Sequence, residues 1–439
     1  MTPAQPLPEE PSTAPGAVSK SDQRSLSILA GTARNRRLHE LLPFFGPAFV
    51  ASVAYVDPGN FGTNIAAGAR YGYNLLWVVL LSNLMAMLLQ HLSAKLGIAT
   101  GQNLPEVIRD RFPKPVSLFI WIAAELAAIA TNLAEFLGGA LGFNLLFHIP
   151  LFIGALLTGV TTIAIVSLER HGVRRIEALI GSLVGIIAIS YVIETIVDRP
   201  NWGLVGYHTV VPYMSSGSIL FSAGILGATV MPHAVFLHSA LTQRRLRPET
   251  EAAKKRLVRY SMLDVVVALA VAGLVNMAML YMAAATFHTH GFTSVTDIRY
   301  AYHTLTPLLG SLAAIVFGIS LLASGISSSA VGTMAGQVIM DGFVGFSTPL
   351  WLRRVITMVP AIVIIYIGLP TTQTLVVSQV ILSLVLPFAV FPLVWFTARR
   401  GVMGDLVNWP VTTVLAVIAS AAILTLNGLL LFTTFGGAL

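Results

Sequence analysis

The feature that most constrains this chain is a succession of long apolar runs separated by short polar or Pro/Gly-rich breaks. A helix needs about 20 mostly apolar residues to cross the hydrocarbon of a bilayer. Eleven runs meet that need, at 43–70, 73–100, 115–143, 148–167, 176–197, 215–241, 257–286, 307–340, 352–369, 373–398 and 410–434. The composition agrees, with 55% hydrophobic and only 10% charged residues, where a soluble globule carries about 25% charged. An all-α integral membrane protein is therefore expected, multi-pass and lipid-embedded. A cytosolic enzyme, a nucleic-acid binder and a secreted module are excluded.

The basic residues provide an independent test of the eleven-run reading, because cytoplasmic loops of membrane proteins concentrate Lys and Arg. With the N-terminus inside, 23 of the 26 Lys and Arg residues fall on the cytoplasmic side. They cluster at Lys20 to Arg37, Lys95 to Lys114, Arg170 to Arg175, Arg244 to Arg259, Arg353–Arg354 and Arg399–Arg400. The outside keeps Arg70, Arg199 and Arg299. The net charge of +7 thus reads as topology and gives no sign of a nucleic-acid partner. The expected orientation has the N-terminus cytoplasmic and the C-terminus extracytoplasmic. With no cysteine, the chain has no disulfide framework, thiolate metal site or thiol nucleophile.

Residues 1–40 carry Pro3, Pro6, Pro8, Pro11 and Pro15 among Ser, Thr, Ala and Glu, a composition expected to stay disordered. That tail lacks the apolar stretch of a secretory signal, so the first membrane run is expected to belong to the mature protein. Residues 41–439 form the transmembrane domain.

Two runs are interrupted in their middles. The first reads Tyr55-Val56-Asp57-Pro58-Gly59-Asn60 and the sixth Ala228-Thr229-Val230-Met231-Pro232-His233. Proline removes a backbone donor and clashes with the preceding turn. At membrane depth, the carbonyls freed in this way survive only where they line a cavity or hold a ligand. Each break opens a set of five runs, one to five and six to ten, and run eleven is additional. Matching broken helices in two halves point to an inverted-repeat transporter with its site near the bilayer midplane.

The residues in the breaks indicate the substrate. An aspartate at the bilayer centre costs about 2.5 to 3.5 kcal/mol, so Asp57 is a functional candidate paired with a cation or proton. Asn60 adds an amide oxygen, Met231 a thioether, and Ala228 a carbonyl one turn before Pro232. A mixed oxygen and sulfur set favours Mn²⁺ or Fe²⁺ over Mg²⁺ or Ca²⁺. Glu125 and Glu135 lie ten residues apart in the third run, on roughly one helical face. His233 and His238 follow the second break, and imidazoles titrate near physiological pH. These four are candidates for a proton route.

At this point three motifs carry a family resemblance. They are Asp57-Pro58-Gly59-Asn60, the Met231-Pro232-His233 break continuing through Ala234-Val235-Phe236-Leu237-His238-Ser239-Ala240-Leu241, and the run Gly332 to Phe343. The chain from about residue 41 resembles the Nramp family of natural resistance-associated macrophage proteins, proton-coupled divalent metal transporters. The resemblance implies a LeuT-like 5+5 inverted repeat and import of Mn²⁺, Fe²⁺ and related metals by alternating access. It implies Asp57, Asn60, Ala228 and Met231 as metal ligands and Gln379 as a residue that approaches the metal. It also ties His233, Glu135, Arg353 and Arg354 to proton movement or its ion-pair network.

Two positions depart from the family pattern. Asn132 stands where the family usually carries an aspartate, and an amide cannot take up a proton near neutral pH. The resemblance therefore implies a proton pathway that is weakened or absent at this point. Val385 replaces a frequent glutamine. The alternative reading is a Na⁺-coupled importer of amino acids or amines on the same scaffold. An intramembrane metalloprotease would need H-E-x-x-H, and His39-Glu40 has no second histidine. The expectations are therefore no enzymatic activity, no resident cofactor, no obligate protein partner, and residence in a bacterial plasma membrane.

Overall fold

The computed structural model describes residues 25–29, 44–168, 173–246, 248, 250–293, 298–346 and 349–435. Among these residues the regular structure is helical. Hydrocarbon dictates this, since it offers backbone groups no partner and a helix satisfies its own.

The first run begins as α1 (Pro47–Val53) and a 3₁₀ turn (Ala54–Val56), pauses at Asp57, and resumes as α2 (Pro58–Tyr71). Next come α3 (Leu76–Thr100), the short α4 (Leu104–Arg111), α5 (Lys114–Phe147), α6 (Leu151–Ser167), α7 (Val173–Asp198) and the surface helix α8 (Trp202–Val210). The sixth run is divided into α9 (Ile219–Thr229) and α10 (Pro232–Arg245). Helix α11 (Glu251–Ala283) ends in a π turn (Ala284–His288). After it come α12 (Ile298–Leu309), α13 (Ser311–Val344), α14 (Leu350–Ile367), α15 (Thr371–Val385), α16 (Pro387–Thr397), α17 (Arg400–Met403) and α18 (Pro410–Thr434).

Every expected apolar run falls on helix. Eight helical stretches among the described residues are long and apolar enough to cross a membrane. The first, fourth and ninth runs are the exceptions. The first is cut at Asp57, the fourth is the 17-residue α6, and the ninth is α14. The tenth run, read as one helix, is two, because Pro387 cannot donate to the turn before it. Of the expected disordered tail, all but residues 25–29 lie outside the described residues. Those five form a helical turn whose Ile28 and Leu29 are buried beside Phe44, Ile98, Leu246 and Leu257. Arg170 of the third basic cluster also lies outside the described residues.

The core centres on α5 against α13, where small residues let two backbones approach. A β-carbon placed on Gly325 would come within 2.5 Å of the Gly139 nitrogen, and one on Gly142 within 2.7 Å of the Leu322 α-carbon. On the far face of α5, Leu118, Phe119, Ile122 and Leu126 are exposed, as expected of a surface that meets lipid. The start of α1 is held from three helices. Asp264 of α11 accepts from the Gly46 and Ala48 amides at 3.3 and 2.9 Å, and Arg245 of α10 pairs with Glu177 of α7. Arg245 also donates to the Phe45 carbonyl at 2.8 Å. This clasp sets where α1 enters the bundle.

The α5–α13 seam yields a prediction. Gly142→Leu overpacks a backbone contact and should destabilise the protein by about 1 to 3 kcal/mol, read as a lowered melting temperature in detergent. An unchanged melt would show that the seam tolerates bulk.

Candidate metal centre

Both breaks are made by the same local chemistry. Asp57 takes an extended conformation (φ −89, ψ 167) and caps α2, with Pro58 at the first helical position. Met231 is likewise extended (φ −85, ψ 122) and caps α10, with Pro232 first. Proline suits that position because its missing N–H would have no intrahelical acceptor there. The cost falls on the preceding segment, where the Ala228 carbonyl would have accepted from residue 232.

Asn60 reaches across to that carbonyl. Its Nδ2 donates to Ala228 O at 2.9 Å and to Asp57 Oδ1 at 2.8 Å, while its backbone amide donates to the same Asp57 oxygen at 2.8 Å. One amide group thus ties the two broken helices together. Gln379 of α15 closes a further side. A β-carbon on Gly59 would sit 1.9 Å from Gln379 Nε2 and 2.9 Å from Asp57 Oδ2. Only glycine admits the carboxamide at this point.

Asp57, Asn60, Met231 and Gln379 are fully buried. Yet among the described residues Asp57 Oδ2, Asn60 Oδ1 and Gln379 Oε1 have no hydrogen-bond partner. Leaving buried acceptors unsatisfied costs free energy that a bound cation returns. Among the described residues no three His, Asp or Glu side chains form a metal-holding group. The donors gathered here are one carboxylate, two amides and a carbonyl, with the Met231 thioether in the second break. The structure brings Asp57, Asn60, Ala228 and Gln379 together.

The expected proton residues divide into three groups. His233 Nδ1 lies 3.1 Å from Thr131 Oγ1 on α5. One helical turn on, Glu135 is buried with neither oxygen hydrogen-bonded, within electrostatic reach of Arg354 and Asp57. Arg354 donates to Asn132 Oδ1, Thr333 Oγ1 and Thr162 Oγ1, each at 2.9 Å, and to the Ser329 hydroxyl. Its guanidinium also stacks 4.0 Å from the Phe136 ring. In the second group Glu125 pairs with Arg353 at 2.9 Å. Glu125 and Asn132 thus face the adjacent arginines of α14, two turns apart on one side of α5. His238 stands apart, bonded to Gln90 at 2.8 Å, which donates to the Tyr55 hydroxyl at 2.5 Å.

The sequence reading missed the hydroxyls around Arg354. One signal was available, the triplet Ser327-Ser328-Ser329 within an apolar run, since polar residues at that depth face the bundle interior.

The model of a family described as natural resistance-associated macrophage protein-like, Nramp, matches residues 48–433. A divalent metal cation transporter MntH of Deinococcus radiodurans is 52% identical over 416 residues, 95% of each chain. One of the same name from Bacillus subtilis is 48% identical over 401 residues, 91% of this chain and 94% of the relative. Among solved structures, the Eremococcus coleocola manganese transporter with a bound aromatic bis-isothiourea compound superposes with a TM-score of 0.81. It is 33% identical and covers 90% of this chain and 87% of that one. Mhp1, a nucleobase-cation-symport-1 family transporter, superposes at 0.54 with 16% identity and shares the fold alone, covering 88% of each chain.

The Arg354 network makes its own prediction. Lysine cannot reproduce a planar fork with five donors, so Arg354→Lys should lower stability by about 1.5 to 3 kcal/mol through lost hydrogen bonds to a charged group and lower the melting temperature in detergent. A wild-type melt would show that the hydroxyl cage contributes nothing.

Proposed function

The chain belongs to the Nramp family, and on that premise we propose that it imports divalent transition metal ions, Mn²⁺ and Fe²⁺ among them, by alternating access. The observation that carries this reading is the set of buried acceptor oxygens without partners, on Asp57, Asn60 and Gln379, where the two broken helices meet. Asp57 supplies the anionic ligand, Asn60 Oδ1 and the Ala228 carbonyl neutral oxygens, and Met231 the soft sulfur, with Gln379 approaching from α15. In the structure the Asn60 amide hydrogens occupy Asp57 Oδ1 and Ala228 O. Metal arrival displaces them, and the amide turns its oxygen inward. The metal enters from outside and leaves to the cytoplasm once the Arg245–Glu177 and Asp264 contacts release α1.

The membrane is a plasma membrane, with the N-terminus inside and the C-terminus outside, as the segregation of Lys and Arg supports. The chain acts as a transporter and not as an enzyme. The oxygen and sulfur donors and the metal-cation names of the relatives favour this over a Na⁺-coupled amine importer.

Proton coupling runs through His233, Glu135 and the Arg353–Arg354 network, with Glu125 and His238 at its margins. Asn132 weakens it. Its Oδ1 accepts from Arg354, and its Nδ2 donates to the Ala128 carbonyl at 2.7 Å. Both ends are thus engaged by a group that takes up no proton near neutral pH.

Liposomes loaded with a metal-sensitive dye test the site. Asp57→Ala should abolish Mn²⁺ entry, and retained entry would remove the assignment. Met231→Ala leaves only oxygen donors, so it should lower the preference for Mn²⁺ over Ca²⁺ by about tenfold; unchanged selectivity would make the sulfur a packing group. With a pH dye inside, Asn132→Asp should raise Mn²⁺-driven acidification several-fold over the parent. Equal acidification in both proteins would show that protons bypass position 132.

A further inference from the structure

A second set of unpartnered oxygens lies near the C-terminal end of α7. Tyr191, Glu194 and Asp198 follow at spacings of three and four residues and so share one helical face. Glu194 is 1% exposed and Tyr191 2%. Among the described residues neither carboxylate oxygen of Glu194 has a hydrogen-bond partner, nor does the Tyr191 hydroxyl or Asp198 Oδ2. The remaining Asp198 oxygen accepts from Thr286 at 2.7 Å. Thr286 sits in the π turn Ala284–His288, an irregularity often found at functional sites. His290 stands within electrostatic reach of Asp198 and is bound to the Thr286 carbonyl at 2.9 Å. Among the described residues no Lys or Arg forms an ion pair with either carboxylate.

This cluster is separate from the metal centre. The Phe61 ring, one turn past Asp57 on α2, packs 5.8 Å from the Tyr191 ring and 5.9 Å from that of Phe317. Tyr191, Thr286 and Phe317 also border a narrow cavity shared with Met279 and Met282.

Two carboxyl groups one turn apart repel when ionised. A single shared proton engages two of the four unpartnered oxygens, one as donor and one as acceptor, whereas a cation can draw on all four. The sulfurs line the cavity, but the groups without partners are all oxygen, a donor set for hard ions. We propose that Glu194 and Asp198, with Tyr191 and Thr286, form a second site for a hard divalent cation of the Ca²⁺ class, which ties the end of α7 to the π turn after α11.

The test uses the purified full chain in detergent, carrying Asp57→Ala so that the other site does not contribute. Binding there is read whether or not Asp57 handles transported metal. Tb³⁺ serves as the probe, excited through nearby rings such as Tyr281 and Trp202, whose centroids are 5.7 Å apart. Saturable Tb³⁺ emission displaced by Ca²⁺ is expected, together with a melting temperature raised by Ca²⁺. Adding Glu194→Gln should weaken the apparent Tb³⁺ affinity at least tenfold and remove the Ca²⁺-induced rise. Asp198→Asn gives the same reading should the glutamine variant fail to fold. No saturable emission, or emission unchanged by both substitutions, would overturn the site and leave a carboxyl pair sharing a proton.

Discussion

In hydrocarbon a backbone N–H or C=O without a partner costs several kcal/mol, and the structure depends on how this chain meets that constraint. Most of it complies by forming uninterrupted helix. At Asp57 and at Val230–Met231 it does not, and the unsatisfied groups of one break become partners for the other. Asn60 donates to both Asp57 and the Ala228 carbonyl, so the two departures from helix stabilise each other. What is left over is acceptor capacity, on Asp57 Oδ2, Asn60 Oδ1 and Gln379 Oε1. A site whose residual demand is for positive charge follows from the manner in which the helices were broken.

The surrounding bundle keeps that demand from being met in other ways. Close approach of α5 and α13 through Gly139, Gly142 and Gly325 excludes lipid and holds Asn132 and Glu135 near α14. Arg354, fully enclosed, is spread over hydroxyls and an amide from α5, α6 and α13 and forms no ion pair among the described residues. Its charge is thus solvated by neutral oxygens, which leaves Glu135 without a hydrogen bond. Asn132 fits this arrangement as an amide, with its acceptor toward Arg354 and its donor toward the Ala128 carbonyl.

The centre was legible in the sequence because Pro and Gly beside a carboxylate in an apolar run are incompatible with plain helix. That signal is local, and it gave Asp57, Asn60, Ala228 and Met231 directly. Gln379 gave no such signal, since a glutamine in a regular helix looks the same whether it faces a neighbour's glycine or a metal. Only family resemblance supplied it. The hydroxyls of Thr162, Ser329 and Thr333 were not legible as partners of Arg354, because they converge from α6 and α13 through tertiary packing. The acids of α7 were not singled out in the sequence. Their want of partners depends on what α11 and α13 place opposite them. The single helix read over 373–398 fails at Pro387, where the missing donor separates α15 from α16.

The central claim is that the two breaks assemble a metal centre of mixed oxygen and sulfur donors. X-ray absorption spectroscopy on the purified protein loaded with one equivalent of Mn²⁺ tests it most directly. The account predicts a shell of oxygen or nitrogen scatterers plus one sulfur, with the sulfur lost in Met231→Ala. An all-oxygen shell in the parent protein would contradict it.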